Sequence, residues 1–234
     1  MRTRPPLGLL CLFCVLLAAH YATGAASFPV RYNPQLKISS RGQLEQRLRE
    51  PFVEGTAHPA GVSNCAQLLA QRRRSSQAQA SDRETQADRS TLAACAILDR
   101  LWRAKPARSS YLSDLAWNER VLSMLPPQLA IAVSADSERA AGAAAAQGKR
   151  WPAVDPSVTA APSSKGPDQI MVTGNGFREQ LILWGRGDFN GDGIEDLLVQ
   201  SLDTLTQGTY RNTRLFILTR RRADGNLLLV SSLL

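Results

Sequence analysis

Within residues 187–200, GDFNGDGIEDLLVQ, oxygen-bearing side chains recur at positions one, three, five and nine counted from Asp188, namely Asp188, Asn190, Asp192 and Asp196. That pattern suits a hard divalent cation. Calcium takes six to eight oxygens at about 2.3–2.6 Å, and alternate residues of a tightly curled loop point inward. Gly191 and Gly193 let the chain curl, and position seven, Ile194, is placed to offer its backbone carbonyl while its side chain turns toward the core. Three carboxylates around a 2+ ion would otherwise repel one another. An EF-hand requires a bidentate Glu at position twelve, which here is Val199 inside an apolar run, so the loop is not an EF-hand. The competing reading is a plain hairpin turn, since Asn190-Gly191 and Asp192-Gly193 are both favoured turn dipeptides. A turn needs only one such pair and has no use for Asp188 and Asp196 at its shoulders.

A DxNxDGxxD loop between two strands resembles the calcium-binding FG-GAP, or VCBS, repeat of integrin-like β-propellers. LILWGRG (181–187) precedes the loop and DLLVQSLD (196–203) follows it, with TRLFILTRR (213–221) and NLLLVSSLL (226–234) in the places of a third and fourth strand. The resemblance implies calcium held by Asp188, Asn190, Asp192, the Ile194 carbonyl and Asp196. It covers the last quarter of the chain in a single copy. One blade cannot close a ring, so the expectation is a small sheet capped by the preceding helical part.

Five candidate strands surround or follow the loop: 169–173, 179–186, 196–202, 214–220 and 227–232, separated by Gly- and Asn-rich turns. Alternation at Leu181 and Leu183, and again at Leu215 and Ile217, predicts one face buried against helices. Upstream, 27–37 reads as an extended arm. Ser40 with Gln43 has capping-box form ahead of a short helix ended by Pro51. Longer helices are predicted over 65–79 and 82–105, the second carrying Leu92, Cys95, Leu98 and Trp102 on one face. Further helices are expected over 110–125 and 128–147. The Pro-, Ser- and Ala-rich stretch 152–167 reads as a linker. The fold class is therefore α+β: a helical part over 27–151, the linker, and an antiparallel meander with its calcium loop over 168–234.

Address and charge narrow the functions. Arg2 and Arg4 precede an apolar core over 7–19 and small residues near Ala25, which is the form of a signal peptide over 1–26. That core is shorter than the roughly 20 residues of a membrane-spanning helix, so no transmembrane segment is expected after its removal, the alternative being an uncleaved anchor. Periplasm or secretion follows. In an oxidising compartment Cys65 and Cys95 should pair, against the alternative of two buried thiols. Net charge is +8, or +6 without Arg2 and Arg4. A basic chain favours anionic partners such as cell-envelope polymers. With only 6% aromatic residues and none interleaved with basic runs, nucleic acid is not expected. The triplets at 72–74 and 220–222 read as solvated edges, the latter discouraging strand-to-strand association.

His58 is the only histidine after the signal, and neither a Cys/His cluster, a G-x-S-x-G motif nor a phosphate loop is present. The expectation is an exported, non-catalytic calcium-binding protein whose sheet presents a surface to an unknown protein or anionic envelope polymer. The alternative is a cell-wall-directed enzyme, or an inhibitor of one in the manner of lysozyme inhibitors.

Overall fold

The structure is a computed structural model describing residues 27–75, 86–132 and 134–234. The expected signal peptide, with Cys11 and Cys14, lies outside those residues. The architecture is α+β. Strands β2 (Thr159–Pro162), β3 (Gln169–Gly174), β4 (Phe177–Gly187), β5 (Asp196–Leu205), β6 (Arg211–Thr219) and β7 (Leu228–Ser232) form an antiparallel sheet in chain order. The two-residue β1 (Arg31–Tyr32) adds to β4 beyond the end of β3, pairing Arg31 with Arg186 and Tyr32 with Gly185. The arm expected at 27–37 is thus part of the sheet. The stretch 152–167, expected as a linker, contributes β2 and the end of a short helix, so it is not an open connection.

Both faces of the sheet are covered, which corrects the expectation of a single buried face. Along β5 every side chain from Asp196 to Ser201 is buried, the pattern of a central strand enclosed on both sides. Leu198, Leu215 and Ile217 meet Leu44 of α1 (Arg41–Arg49) and Ile97 and Leu101 of α3 (Gln86–Arg103). Outside these helices α2 (Cys65–Ser75) closes a second apolar cluster containing Leu48, Leu68, Leu69 and Leu92. The Cys65–Cys95 disulfide lies in that cluster. Ser40 caps α1, its hydroxyl accepting the Gln43 N–H at 3.3 Å.

On the opposite face, Leu112, Leu125, Leu129 and Trp151 pack on Leu181, Val199, Phe216 and Leu218. Here the sequence expectation fails. The helix expected over 110–125 is an irregular strap with a 3-10 segment at Glu119–Met124, and that expected over 128–147 is a 3-10 turn at Pro127–Leu129 followed by α4 (Ala135–Ala146). The short α5 (Trp151–Val154) completes this layer. Three arginines, Arg186 and Arg214 in the sheet and Arg220 just after β6, supply what the strap's backbone lacks. Arg186 donates to the carbonyls of Leu112 at 3.0 Å and Leu115 at 2.8 Å. Arg220 donates to the Tyr111 carbonyl at 3.0 Å, and Arg214 to those of Ala130 at 3.0 Å and Leu129 at 2.6 Å. Acceptors met by side chains need no helix. Arg220, expected on a solvated edge, is 5% exposed and also pairs with Asp114 at 2.8 Å.

At Gly185 the register of β4 and β5 shifts and β1 crosses closely. A Cβ there would stand 2.5 Å from Leu101 Cδ2 and 2.7 Å from the Arg31 carbonyl oxygen. Gly185→Ala is expected to cost about 1–3 kcal/mol through this overpacking. Urea unfolding checks it, and an unchanged midpoint would mean that β1 is not held as described.

Candidate metal centre

The loop begins where β4 ends and closes where Asp196 pairs with Gly187. Gly191 and Gly193 adopt φ of +88° and +82°, the left-handed turns that glycine supplies without steric cost. The segment after α3 holds the loop from behind. Lys105 and Asp188 exchange N–H to carbonyl bonds at 3.1 and 2.9 Å. The Gly193 carbonyl accepts from the Arg108 and Ser109 N–H groups, and Glu195 N–H donates to the Ser109 carbonyl at 2.9 Å. Glu195, which sequence reasoning passed over, is fully buried here, accepting from Arg31 at 2.8 Å and from the Ser110 hydroxyl at 2.5 Å.

On the inner side the loop organises its own oxygens. The two oxygens of Asp188 accept the N–H groups of Gly191 at 2.6 Å and Gly193 at 3.0 Å. Asn190 Oδ1 accepts the Asp192 N–H and Asp192 Oδ1 accepts the Ile194 N–H, both at 2.8 Å. Gly193 and Glu195 make the bridge to Ser109, and the Ile194 N–H turns the other way, to Asp192. A carboxylate has about four lone-pair positions, so one N–H per oxygen leaves capacity for a cation. Ile194's side chain is half-buried rather than sunk in the core.

Asp196 is the decisive member. It is fully buried; Oδ2 accepts the Phe189 N–H at 3.1 Å, while Oδ1 has no hydrogen-bond partner. Burial pushes its pKa up to about 6; Thr219 and the Phe189 N–H ease its ionisation, and the carboxylates of Asp192 and Asp188 oppose it. Thr219 is its neighbour on β6, yet neither the Thr219 hydroxyl nor Asp196 Oδ1 finds a bond of acceptable geometry. An orphaned buried carboxylate oxygen costs several kcal/mol unless a proton or cation meets it. Among the described residues no three His, Cys, Asp or Glu side chains converge tightly enough to grip a metal. Asp192 is the exposed carboxylate of the set, engaged by the Asn190 amide at 3.1 Å as well as by Ile194. The donor set suits calcium in the type and sequence spacing of its oxygens.

No family model, curated protein or solved structure matches the chain. The FG-GAP resemblance rests on the loop's own residues.

A second polar cluster was missed from the sequence. Glu179 on β4, Ser201 and Asp203 on β5, and Arg214 on β6 lie side by side beneath the strap. Arg214 Nε donates to Asp203 Oδ2 at 2.6 Å, and its terminal nitrogen reaches Asp203 Oδ1 at 3.1 Å and Glu179 Oε2 at 3.3 Å. Glu179 Oε1 accepts the Ile131 N–H at 2.5 Å; the Ser201 hydroxyl lies 3.2 Å from Oε2 and bonds Asp203. Both acids are essentially inaccessible to solvent. A signal existed: the Leu181, Leu183 alternation carried two residues back reaches Glu179. His58 stacks on Phe52 with ring centroids 4.9 Å apart and, among the described residues, has no acidic or histidine neighbour in hydrogen-bond contact.

Proposed function

We propose that the chain is an exported, non-catalytic calcium-binding protein, in which calcium fixes the β4–β5 connection and the sheet presents a surface to a partner. The observation that carries this reading is the buried, unpartnered Oδ1 of Asp196 beside Asp188 and Asp192. Asp188, Asn190, Asp192, the Ile194 carbonyl and Asp196 would hold the ion. Calcium would supply charge neutralisation and would raise stability by binding the folded chain alone. Export to the periplasm or beyond is supported by the signal-like leader and by the disulfide, which persists in oxidising compartments. Among the described residues no helix is long and apolar enough to cross a membrane.

Thermal unfolding of the chelator-stripped chain tests the reading. Extracellular calcium modules bind at about 10⁻⁴–10⁻³ M, so 10 mM calcium gives roughly 1.4–2.7 kcal/mol. For a chain of this size that is about 3–10 °C in Tm. Asp192→Ala should lose the shift, and calorimetric titration should show one site in the parent alone. A Tm insensitive to calcium in the parent would reduce 188–196 to a hairpin turn.

A further inference from the structure

We propose that the cleft between β7 and α4 takes an acidic peptide segment of a partner protein, added in extended form to the free edge of β7. β7 ends the sheet and, among the described residues, pairs only with β6. It carries neither the proline nor the charged side chains with which edge strands are blunted; β2, at the other edge, ends in Pro162 and is mostly exposed alanine and threonine. Leu228 and Val230 stand 46% and 37% exposed on β7.

Beside this edge lies a cleft of about 530 Å³. One wall is Leu227 to Val230 and the other is α4, which offers only Gly142, Ala145 and Ala146 there. Small side chains on the helix are what keep the space open next to the strand. An extended chain rises about 3.3 Å per residue, so five or six residues match the length of β7, with alternate side chains entering the cleft. Backbone bonding supplies affinity in this mode and the cleft supplies selection.

Charge fixes the chemistry of the occupant. Lys149, Arg150 and Arg221 line the cleft and are exposed, and among the described residues no acidic side chain lines it. None of the three is paired with a carboxylate among the described residues. Gln128 adds a second observation, since its Oε1 is enclosed at this wall without a hydrogen-bond partner. An N–H donor and a carboxylate-rich strand would satisfy both features. The inference concerns the partner surface and does not depend on calcium in the 188–196 loop.

Fluorescence anisotropy of the chain in excess chelator tests it, so that failure of the calcium reading leaves the result interpretable. The probe is a labelled six-residue peptide alternating valine and aspartate. Saturable binding is expected, weakened at least tenfold in three ways: by lysine in place of aspartate, by N-methylation of one alternate set of amides, and by the double variant Lys149→Glu, Arg150→Glu. Val230→Pro should weaken it too, and the N-methylated peptides keep the test decisive if that variant does not fold. The proposal is overturned if the probe fails to bind at millimolar concentration, or if both alternately methylated peptides bind like the parent. It is overturned equally if a sulfated polysaccharide binds the same residues while methylation is without effect, or if sedimentation shows β7 already occupied by a second copy of the chain.

Discussion

Arg214→Met is expected to lower stability by about 3–5 kcal/mol, the range for removing one partner of a buried ion pair. The side chain is 13% exposed and its two acidic partners are fully enclosed, so water cannot replace it. Methionine restores much of the volume and the contact with Phe216, over whose ring the guanidinium lies at 5.1 Å. It restores none of the donors. Asp203 loses its bidentate partner, and the carbonyls of Leu129 and Ala130 lose theirs. Urea unfolding at neutral pH measures the loss; a change below about 1 kcal/mol would mean that the cluster is not closed to solvent.

The same cluster sets a pH dependence of unusual sign. Burial, then the charge of Asp203, push Glu179 up to about 8, against the pull of Arg214 and of the Ile131 N–H and Ser201 hydroxyl. One guanidinium thus serves two acids, and the fold holds Glu179 protonated. The Ser201 hydroxyl, with a single proton to give, lies between Glu179 Oε2 and Asp203 Oδ1. Because the folded pKa is raised above the unfolded value, this stabilisation is complete below about pH 4.5 and is lost as pH rises through about 8. Glu179→Gln keeps the shape and removes the proton exchange. Between those limits the parent should therefore lose up to about 1.4 kcal/mol per pH unit relative to the variant. Parallel pH profiles for parent and variant would show that Glu179 is ionised in the fold.

What the sequence could disclose follows from how local each structural cause is. The strands after residue 168 were legible because their apolar alternation and turn residues are local: β5 begins at Asp196 and β3 at Gln169, where the pattern places them. Cys65 and Cys95 were legible from chemistry and compartment, and pair as expected. The strap over 110–131 was not legible. Its leucines recur at intervals that suit a helix, but its carbonyls are satisfied by Arg186, Arg214 and Arg220 from distant strands. Once those donors exist, the chain can follow the sheet surface and bury Leu112, Leu125 and Leu129 without helical bonds. β1 and β2 were missed for a related reason, being too short to show a period and ordered by pairing alone. In the loop, the candidate donors were named from residue types and spacing alone. The orphaned Oδ1 of Asp196 and the buried Glu195 behind it depend on packing from β6 and from the segment after α3, which no local window contains.

Removing the disulfide is expected to cost about 3–4 kcal/mol, and the loss should begin in α2. Cys65 and Cys95 are 30 residues apart, and closing such a loop restricts the unfolded chain by about 3.6 kcal/mol in the chain-entropy model. Both cysteines are buried among Leu68, Leu69 and Leu92, so the paired Cys65→Ala, Cys95→Ala substitution also leaves a small void. The structural consequence is uneven. α3 is anchored on the sheet through Ile97 and Leu101, whereas α2 packs on α1 and α3 and contributes nothing to the sheet-facing cluster. Without the covalent tie, α2 depends on its few buried leucines, and its opening becomes cheaper than global unfolding. Hydrogen exchange on the double variant should show α2 amides exchanging at least a hundredfold faster while β5 amides still report the global transition. Equal acceleration in α2 and β5, or a loss below about 1 kcal/mol, would show that α2 is held by packing alone.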